Sequence, residues 1–461
     1  MNKDRDYEEL KDLDHRHLWH PFTQMKDWLT EDPIIIVEGE DCFLKDARGR
    51  WYLDGVSSIW VNVHGHRKAQ LDEAIRVQLG KIAHSTMLGI SNAPAIEFAG
   101  RLVRVVGQSL GPSLTRVFYS DNGSTAVEAA LKMAFQYWRH RGVEGRDKFV
   151  SLSNAYHGDT LGAVSVGGID VFHEAFGPLL FKTLQAPSPY CYRCELADSS
   201  PGECGLECLK AMDEILGAHR DEVAAVILEP MVQGAGGMIV FPGGYLKGVR
   251  ELCTRHGVLL IADEVATGFG RTGMMFACEH EGVSPDILCL SKGITGGYLP
   301  LAATLATEEV FGAFLGEYRE LKTFFHGHSY TGNPLACACG MASLDVFERE
   351  RVIEKAVPKA EMLRQWLLSI ASHPHVGEAR GLGLMAGVEL VAEKATKEPF
   401  PWEEKVGVRA CYAARERGVL VRPLGNVVVI MPPLSISEEN LARMLEVMGE
   451  AIGEATSEWE G

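Results

Sequence analysis

Residues 258–264 read VLLIADE, and residues 286–293 read DILCLSKG. Each is a short apolar run closed by groups that carry chemistry, Asp263 and Glu264 in the first, Ser291 and Lys292 in the second. Runs of about five apolar residues are too short for a stable helix and long enough for a buried strand. The pattern recurs at Arg116–Ser120 (RVFYS), Lys148–Leu152 (KFVSL), Val223–Leu228 (VAAVIL) and Ala302–Ala306 (AATLA), beside Val258–Ala262 and Asp286–Leu290. Between several of these runs stand helical candidates such as Ser124–Arg139, whose apolar residues recur at helical spacing. Strands apolar on both faces and alternating with helices predict an α/β layer on a mainly parallel sheet.

Outward from this centre the texture changes. After about Gly340 come long charged helices with strands expected around Gly383–Leu390 and Val419–Met431, while the first 75 residues hold the strand-like IIIVEGE and CFLKDARGRWYLD. We expect the two ends, 1–75 and 340–461, to combine into a smaller domain beside a large domain spanning 76–339.

Composition sets the outer limits. Apolar residues make up 46% of 461 and charged residues 23%, so a sizeable core is available and disorder is excluded. The net charge of −17 opposes a phosphate backbone, which argues against nucleic acid as a partner. The opening MNKDRDYEELKDLDH is charged throughout and lacks a signal peptide's apolar stretch, and no apolar run is long enough to cross a bilayer. Eleven cysteines without a secretion signal then point to reduced thiols in a cytoplasmic protein.

Ligands of open α/β sheets gather at the carboxyl ends of the strands. RVFYS runs into Asp121-Asn122-Gly123-Ser124, KFVSL leads to Asn154-Ala155-Tyr156-His157-Gly158-Asp159, and VAAVIL ends in Glu229-Pro230. Together with Asp263-Glu264 and Ser291-Lys292-Gly293, a helix start, an aromatic, acids and a lysine converge on one edge. Each has an ordinary explanation alone: a helix cap, a turn, a solvated lysine. Their joint order along successive strands does not. Each also has a use if the ligand is pyridoxal phosphate. Gly123 and Ser124 offer backbone N–H groups and a hydroxyl to the phosphate, and Asp263 a carboxylate to keep the pyridine nitrogen protonated. Lys292 offers an amine for the aldehyde and for proton transfer, and Tyr156 a ring to lie against the cofactor.

At these residues the chain resembles the class III aminotransferases of the fold-type I pyridoxal-phosphate superfamily. The resemblance runs from about Leu18 to Pro433 and is strongest in SDNGSTAVEAALKMA (120–134), NAYHGDT (154–160), LEPMVQGAGGM (228–238), LIADEVATGFGRTG (260–273), LSKGITGGYLPLAATLAT (290–307) and FFHGHSYTGNPLACA (324–338). Within the family, HLWHPFTQM (17–25), DGVSSIWVNVHGH (54–66), QYWRHRG (136–142) and VRPLGNVVVIMPP (421–433) resemble the diaminopelargonate aminotransferase branch. That branch aminates 7-keto-8-aminopelargonate (8-amino-7-oxononanoate) in biotin synthesis.

The resemblance implies Lys292 as the cofactor's lysine, Asp263 on the ring nitrogen, Gly123 and Ser124 on the phosphate, and Tyr156 stacked on the ring and touching substrate. It implies His328 and Ser329 on the same phosphate from the other subunit of a homodimer, and Trp60, Gly327 and Arg422 along the substrate site, Arg422 facing a carboxylate. Two departures bear on the amino donor. Phe22 and Ile59 stand where the S-adenosylmethionine-using branch has Tyr and Trp, so lysine is the expected donor. Ala266 replaces a Gln common in the family, and Ser329 a commoner Thr.

Three patterns are set aside. Gly268-Phe269-Gly270-Arg271-Thr272-Gly273 matches a dinucleotide fingerprint without a clear following helix, leaving Arg271 as a possible further anion contact. Cys191, Cys194, Cys204 and Cys208 have metal-like spacing but are taken as free thiols, and His15, His17, His20 and His326 as loop and packing residues. No metal is expected.

Overall fold

The computed structural model describes residues 6–196, 204–457 and Trp459. All six expected runs are strands, Leu114–Ser120, Lys148–Leu152, Val223–Leu228, Leu259–Asp263, Ile287–Leu290 and Ala302–Thr307, and a short seventh, Leu184–Ala186, joins them. They form one sheet in the order 114–120, 302–307, 287–290, 259–263, 223–228, 148–152, 184–186. Five neighbouring strands from 287–290 to 184–186 pair in parallel, and Ala302–Thr307 runs against both of its neighbours. The protein therefore has the expected α/β fold on a mainly parallel sheet.

Alternation along the strands divides the core between the two faces. Val226, Leu228, Leu260, Ala262, Leu288 and Leu290 pack into a core that includes Met212, Leu216, Val249 and Cys253 of helices Glu207–Ala218 and Tyr245–His256. Ala225, Ile227, Ile261, Ile287 and Cys289 pack on the other side against helix Gly123–His140. That helix meets the sheet through Ala126, Ala129, Ala130 and Ala134, all fully buried. Small side chains let its backbone come close enough for Thr304 Oγ1 to donate to Ala126 O at 2.9 Å. This close approach seats the start of the helix beside the strand ends.

A strand from the first 60 residues pairs with one from beyond residue 400. Ile36–Glu40, Phe43–Asp46 and Trp51–Asp54 form an antiparallel sheet whose last strand pairs in parallel with Val419–Leu420. A second sheet joins Val376–Leu382, Met385–Glu393, Val427–Ile430 and Arg422–Leu424, with Glu398–Pro399 beside Met385–Glu393. No helix among the described residues is long and apolar enough to cross a membrane.

Arg271 ties these parts together through its hydrogen bonds. Its side chain is buried; one Nη donates to Ser57 Oγ and Pro432 O, the other to Asn62 O. A residue from the loop after strand Leu259–Asp263 thus grips both chain ends at once. Replacing it with an apolar side chain orphans two buried carbonyls, each costing about 1–3 kcal/mol. Arg271→Leu should therefore lower the urea midpoint of the apo-protein markedly; a midpoint equal to wild type would show the grip to be dispensable.

Candidate active site

A cavity of about 630 Å³ opens at the carboxyl ends of the strands and is lined by Trp60, Gly123, Ser124, Tyr156, Asp263 and Lys292 among others. A cavity of similar size, about 660 Å³, lies among Phe118, Phe311, Phe314 and Phe324, but its lining includes no carboxylate. The first is where acids and a base meet.

One wall is the start of helix Gly123–His140. Asn122 Oδ1 accepts from Thr125 N at 3.1 Å and caps the helix, leaving the N–H groups of Gly123 and Ser124 outside its ladder. Ser124 Oγ lies 2.7 Å from Thr160 Oγ1 and accepts from Thr160 N at 3.0 Å. The wall admits no further side chain. A Cβ on Gly123 would stand 2.5 Å from Val265 Cγ1, and one on Gly158, at φ +118°, would stand 2.4 Å from Ser124 Cβ. Free amides, a hydroxyl and a helix terminus kept clear by glycine fit a phosphate.

The opposite side carries the charges. Asp263, the last residue of its strand, is buried; its Oδ2 lies 2.7 Å from His157 Nδ1 and its Oδ1 accepts from Val265 N at 3.0 Å. His157 is buried too, and its Nε2 has no partner. Glu229 accepts from Tyr156 N at 3.1 Å and Gly234 N at 2.9 Å, and burial pushes its carboxyl up to about 7. Lys292 sits two residues past strand Ile287–Leu290 with φ 48°. Burial lowers its amine to about 8, against the opposing pull of Asp263 and Glu229. An amine that gives up its proton more readily than a solvated lysine, beside a fixed carboxylate, suits attachment of an aldehyde and transfer of a proton. Tyr156 donates from its hydroxyl to Asp159 at 2.7 Å, and burial raises its phenol far above the ordinary value.

Trp60 closes the floor, its ring centroid 4.6 Å from Lys292 Nζ. It ends a run of four residues, Ser57, Ser58, Ile59 and Trp60, with φ of 52°, 47°, 67° and 70°. Left-handed geometry costs roughly 1–2 kcal/mol for each residue with a Cβ.

Six of the expected residues thus surround one cavity, while the remaining ones do not line it within a single chain. Phe22 is exposed, but its ring lies 5.3 Å from Phe172, which in turn lies 6.3 Å from Tyr156. Ile59, Gly327, Ser329 and Arg422 are exposed. His328 reaches the rim, its Nδ1 2.8 Å from Oδ2 of Asp121, a lining residue of the same chain. The sequence reading assigned no part to His157, Glu229, Asp159 or Thr160, although they occupy the same strand-end segments. Nothing in their types marks them: burial sets apart His157 and Glu229, a partner distant in sequence sets apart His157 and Thr160, and Asp159 is set apart by its bond to Tyr156. Among the described residues, no group of three or more His, Cys, Asp or Glu side chains is arranged to hold a metal ion. Cys191 Sγ and Cys204 Sγ lie 3.8 Å apart, and His20 Nε2 lies 2.9 Å from Asp14.

Comparison with known proteins accords with this geometry. Residues 25–452 match the family model described as aminotransferase class-III. The adenosylmethionine-8-amino-7-oxononanoate aminotransferase of Geobacter sulfurreducens is 56% identical over 98% of this chain and 99% of its own length. The protein of the same name from Anoxybacillus flavithermus is 54% identical over 95% of each chain. The crystal structure of the Methanocaldococcus jannaschii protein of that name superposes with a TM-score of 0.92 at 47% identity, covering 97% of this chain and 99% of the other. An amine transaminase from an uncultivated Pseudomonas species, solved with pyridoxal phosphate bound, gives 0.90 at 38% identity, over 95% and 99% of the two chains. The chain belongs to the class III aminotransferases, which depend on pyridoxal phosphate.

Proposed function

We propose that the protein is a cytoplasmic homodimer that transaminates 8-amino-7-oxononanoate to 7,8-diaminononanoate in biotin synthesis. The observation that carries this is a lysine amine lowered to about 8 in a cavity shared with a buried carboxylate and a helix terminus. The full-length relatives named for that acceptor supply the substrate.

Bound pyridoxal phosphate supplies an electron sink for charge that develops on the substrate carbon. In this reading Lys292 holds the cofactor and, once released, carries the proton on its Nζ. Asp263 keeps the ring nitrogen protonated, and His157 Nδ1, 2.7 Å away, fixes the carboxylate's orientation. Gly123 and Ser124 bind the phosphate, joined by His328 and Ser329 of a second copy of the chain. Tyr156 stacks against the ring. Trp60, Phe22, Ile59 and Gly327 shape the substrate path, and the exposed guanidinium of Arg422 receives the acceptor's carboxylate.

The donor in this reading is lysine. Phe22 lacks the phenolic hydroxyl, and Ile59 the flat indole, that the S-adenosylmethionine-using branch presents at these positions. Asp159, exposed at the cavity, offers a carboxylate for a side-chain ammonium. The names of the relatives favour adenosylmethionine, so the two donors must be compared directly. The loaded enzyme, mixed with each donor in turn and then with 8-amino-7-oxononanoate, should yield diamine faster from lysine. Diamine formed from adenosylmethionine alone would reverse the donor. No diamine from either, with turnover of simple amines, would move the protein to the amine transaminases that its fold also resembles.

Arg422→Ala should raise the KM for the keto acid while sparing the donor half-reaction. A charge-assisted bond to a carboxylate contributes about 1.5–3 kcal/mol, roughly 10- to 100-fold in binding. Equal damage to both half-reactions would mean that Arg422 serves the fold or binds donor too.

Only an unprotonated amine attacks an aldehyde, and burial lowers Lys292 to about 8. The rate at which apo-protein takes up pyridoxal phosphate, followed by visible absorbance, should therefore rise with pH around a midpoint near 8. A midpoint near 10.5, the value of a solvated lysine, would show that the amine is not buried before the cofactor arrives.

A further inference from the structure

Just beyond strand Trp51–Asp54 the chain winds in the disfavoured hand for four residues, none of them glycine. Ser57, Ser58, Ile59 and Trp60 have no intrinsic preference for this course, and released from restraint they would leave it. Hydrogen bonds within the turn, from Trp60 N to Val56 O at 2.8 Å and from Val61 N and Asn62 N to Ser57 O at 3.0 Å, follow from the winding and do not explain its hand.

The restraint comes from outside the turn, and Asp54 supplies its most direct part. The Asp54 side chain is 1% exposed. Its Oδ1 accepts from Ser58 N at 2.9 Å, its Oδ2 accepts from Ser58 Oγ at 2.8 Å, and His66 Nε2 lies 3.2 Å from the same Oδ2. Both carboxylate oxygens thus grip one residue in the middle of the left-handed run. At the far end of the run, Trp60 is wedged between Lys292 Nζ and Gly234, where a Cβ would come within 3.2 Å of the indole. Reversing the hand would redirect every side chain of the turn and draw Trp60 off the lysine.

We propose that Asp54 is a positioning residue: its carboxylate locks Ser57–Trp60 in the left-handed course and thereby sets Trp60 over Lys292. The inference rests on Lys292 being the cofactor's lysine, as proposed above, and is independent of which donor the enzyme prefers.

The test exploits glycine, which enters left-handed geometry without steric cost. Asp54→Ala, Asp54→Asn, Ser58→Gly and the double variant Asp54→Ala/Ser58→Gly are compared with wild type. Thermal midpoints are read on the apo-protein; KM, kcat and the visible absorption of the bound cofactor are read on the loaded enzyme. Asp54→Ala should raise the keto-acid KM by about 10-fold or more, as expected for losing a buried charged acceptor, and should shift the absorption band. Asp54→Asn, which keeps one oxygen for Ser58 N, should fall between. Adding Ser58→Gly to Asp54→Ala should recover at least about 3-fold of the KM and raise the apo midpoint, whereas Ser58→Gly alone, which sacrifices a working hydrogen bond, should not. If Asp54→Ala fails to fold, the same comparison is made between Asp54→Asn and Asp54→Asn/Ser58→Gly.

Equal effects of Ser58→Gly with and without Asp54 would overturn the inference. So would an Asp54→Ala protein of lowered midpoint whose KM and absorption match wild type, since that is the mark of a purely structural residue. The apo-protein arm separates this failure from one of the Lys292 reading. If wild type acquires no visible band with pyridoxal phosphate, the Lys292 reading falls and the setting of Trp60 over a cofactor lysine falls with it.

Discussion

Lys292 shares one low-dielectric edge of the sheet with two buried carboxylates, Asp263 and Glu229, and the site depends on neither of them pairing off with it. Each carboxylate is already engaged: Asp263 by His157 Nδ1 and Val265 N, Glu229 by the amides of Tyr156 and Gly234. Burial therefore outweighs their attraction for the amine, and its proton is held loosely. Were either acid freed to reach Nζ, the balance would tip toward a closed ion pair and a sluggish nucleophile. His157, Val265, Tyr156 and Gly234 thus hold Lys292 ready without touching it.

A second constraint is the space between helix Gly123–His140 and its neighbours. Alanines on the sheet-facing side let the helix sink onto the strands, and glycines at 123 and 158 keep its first turn clear. The helix dipole acts only over about the first turn, so a shift of a few ångströms would remove most of its pull on an anion. Core packing and the clearance at the helix start are set here by the same small side chains.

The layer and the cavity were legible because their signals are local. Apolar runs such as VAAVIL and the chemistry at their ends lie within a few residues of each other, and six residues that line the cavity followed from that pattern together with the family resemblance. Leu184–Ala186 escaped because three residues make no pattern. The part of His157 escaped because a buried histidine and a solvated one look alike until the partner, Asp263, 106 residues away, is known. Arg271 was misread for a related reason. Its place in a glycine-rich motif points to a ligand, yet its three acceptors are supplied by segments 161 to 214 residues away. The left-handed turn left no trace at all, since SSIW is ordinary in composition and Asp54, four residues before Ser58, looks like any other aspartate until its carboxylate is seen on Ser58.

Ser57 Oγ donates to Met431 O across 374 residues of sequence. Such a contact has consequences for a chain made from one end. The strands of the large sheet and the loops bearing Asp263 and Lys292 lie between these residues and can assemble as they emerge. The turn under Lys292 cannot be completed with them, because strand Val419–Leu420 and the carbonyls of Met431 and Pro432, which receive Ser57 and Arg271, are translated after all of these. A nascent chain therefore passes through a stage in which the start of helix Gly123–His140 and Lys292 stand above an unfinished floor. The loop closed by the Ser57–Met431 contact spans 374 residues, so Trp60 settles beneath Lys292 only once both ends of that loop have been made.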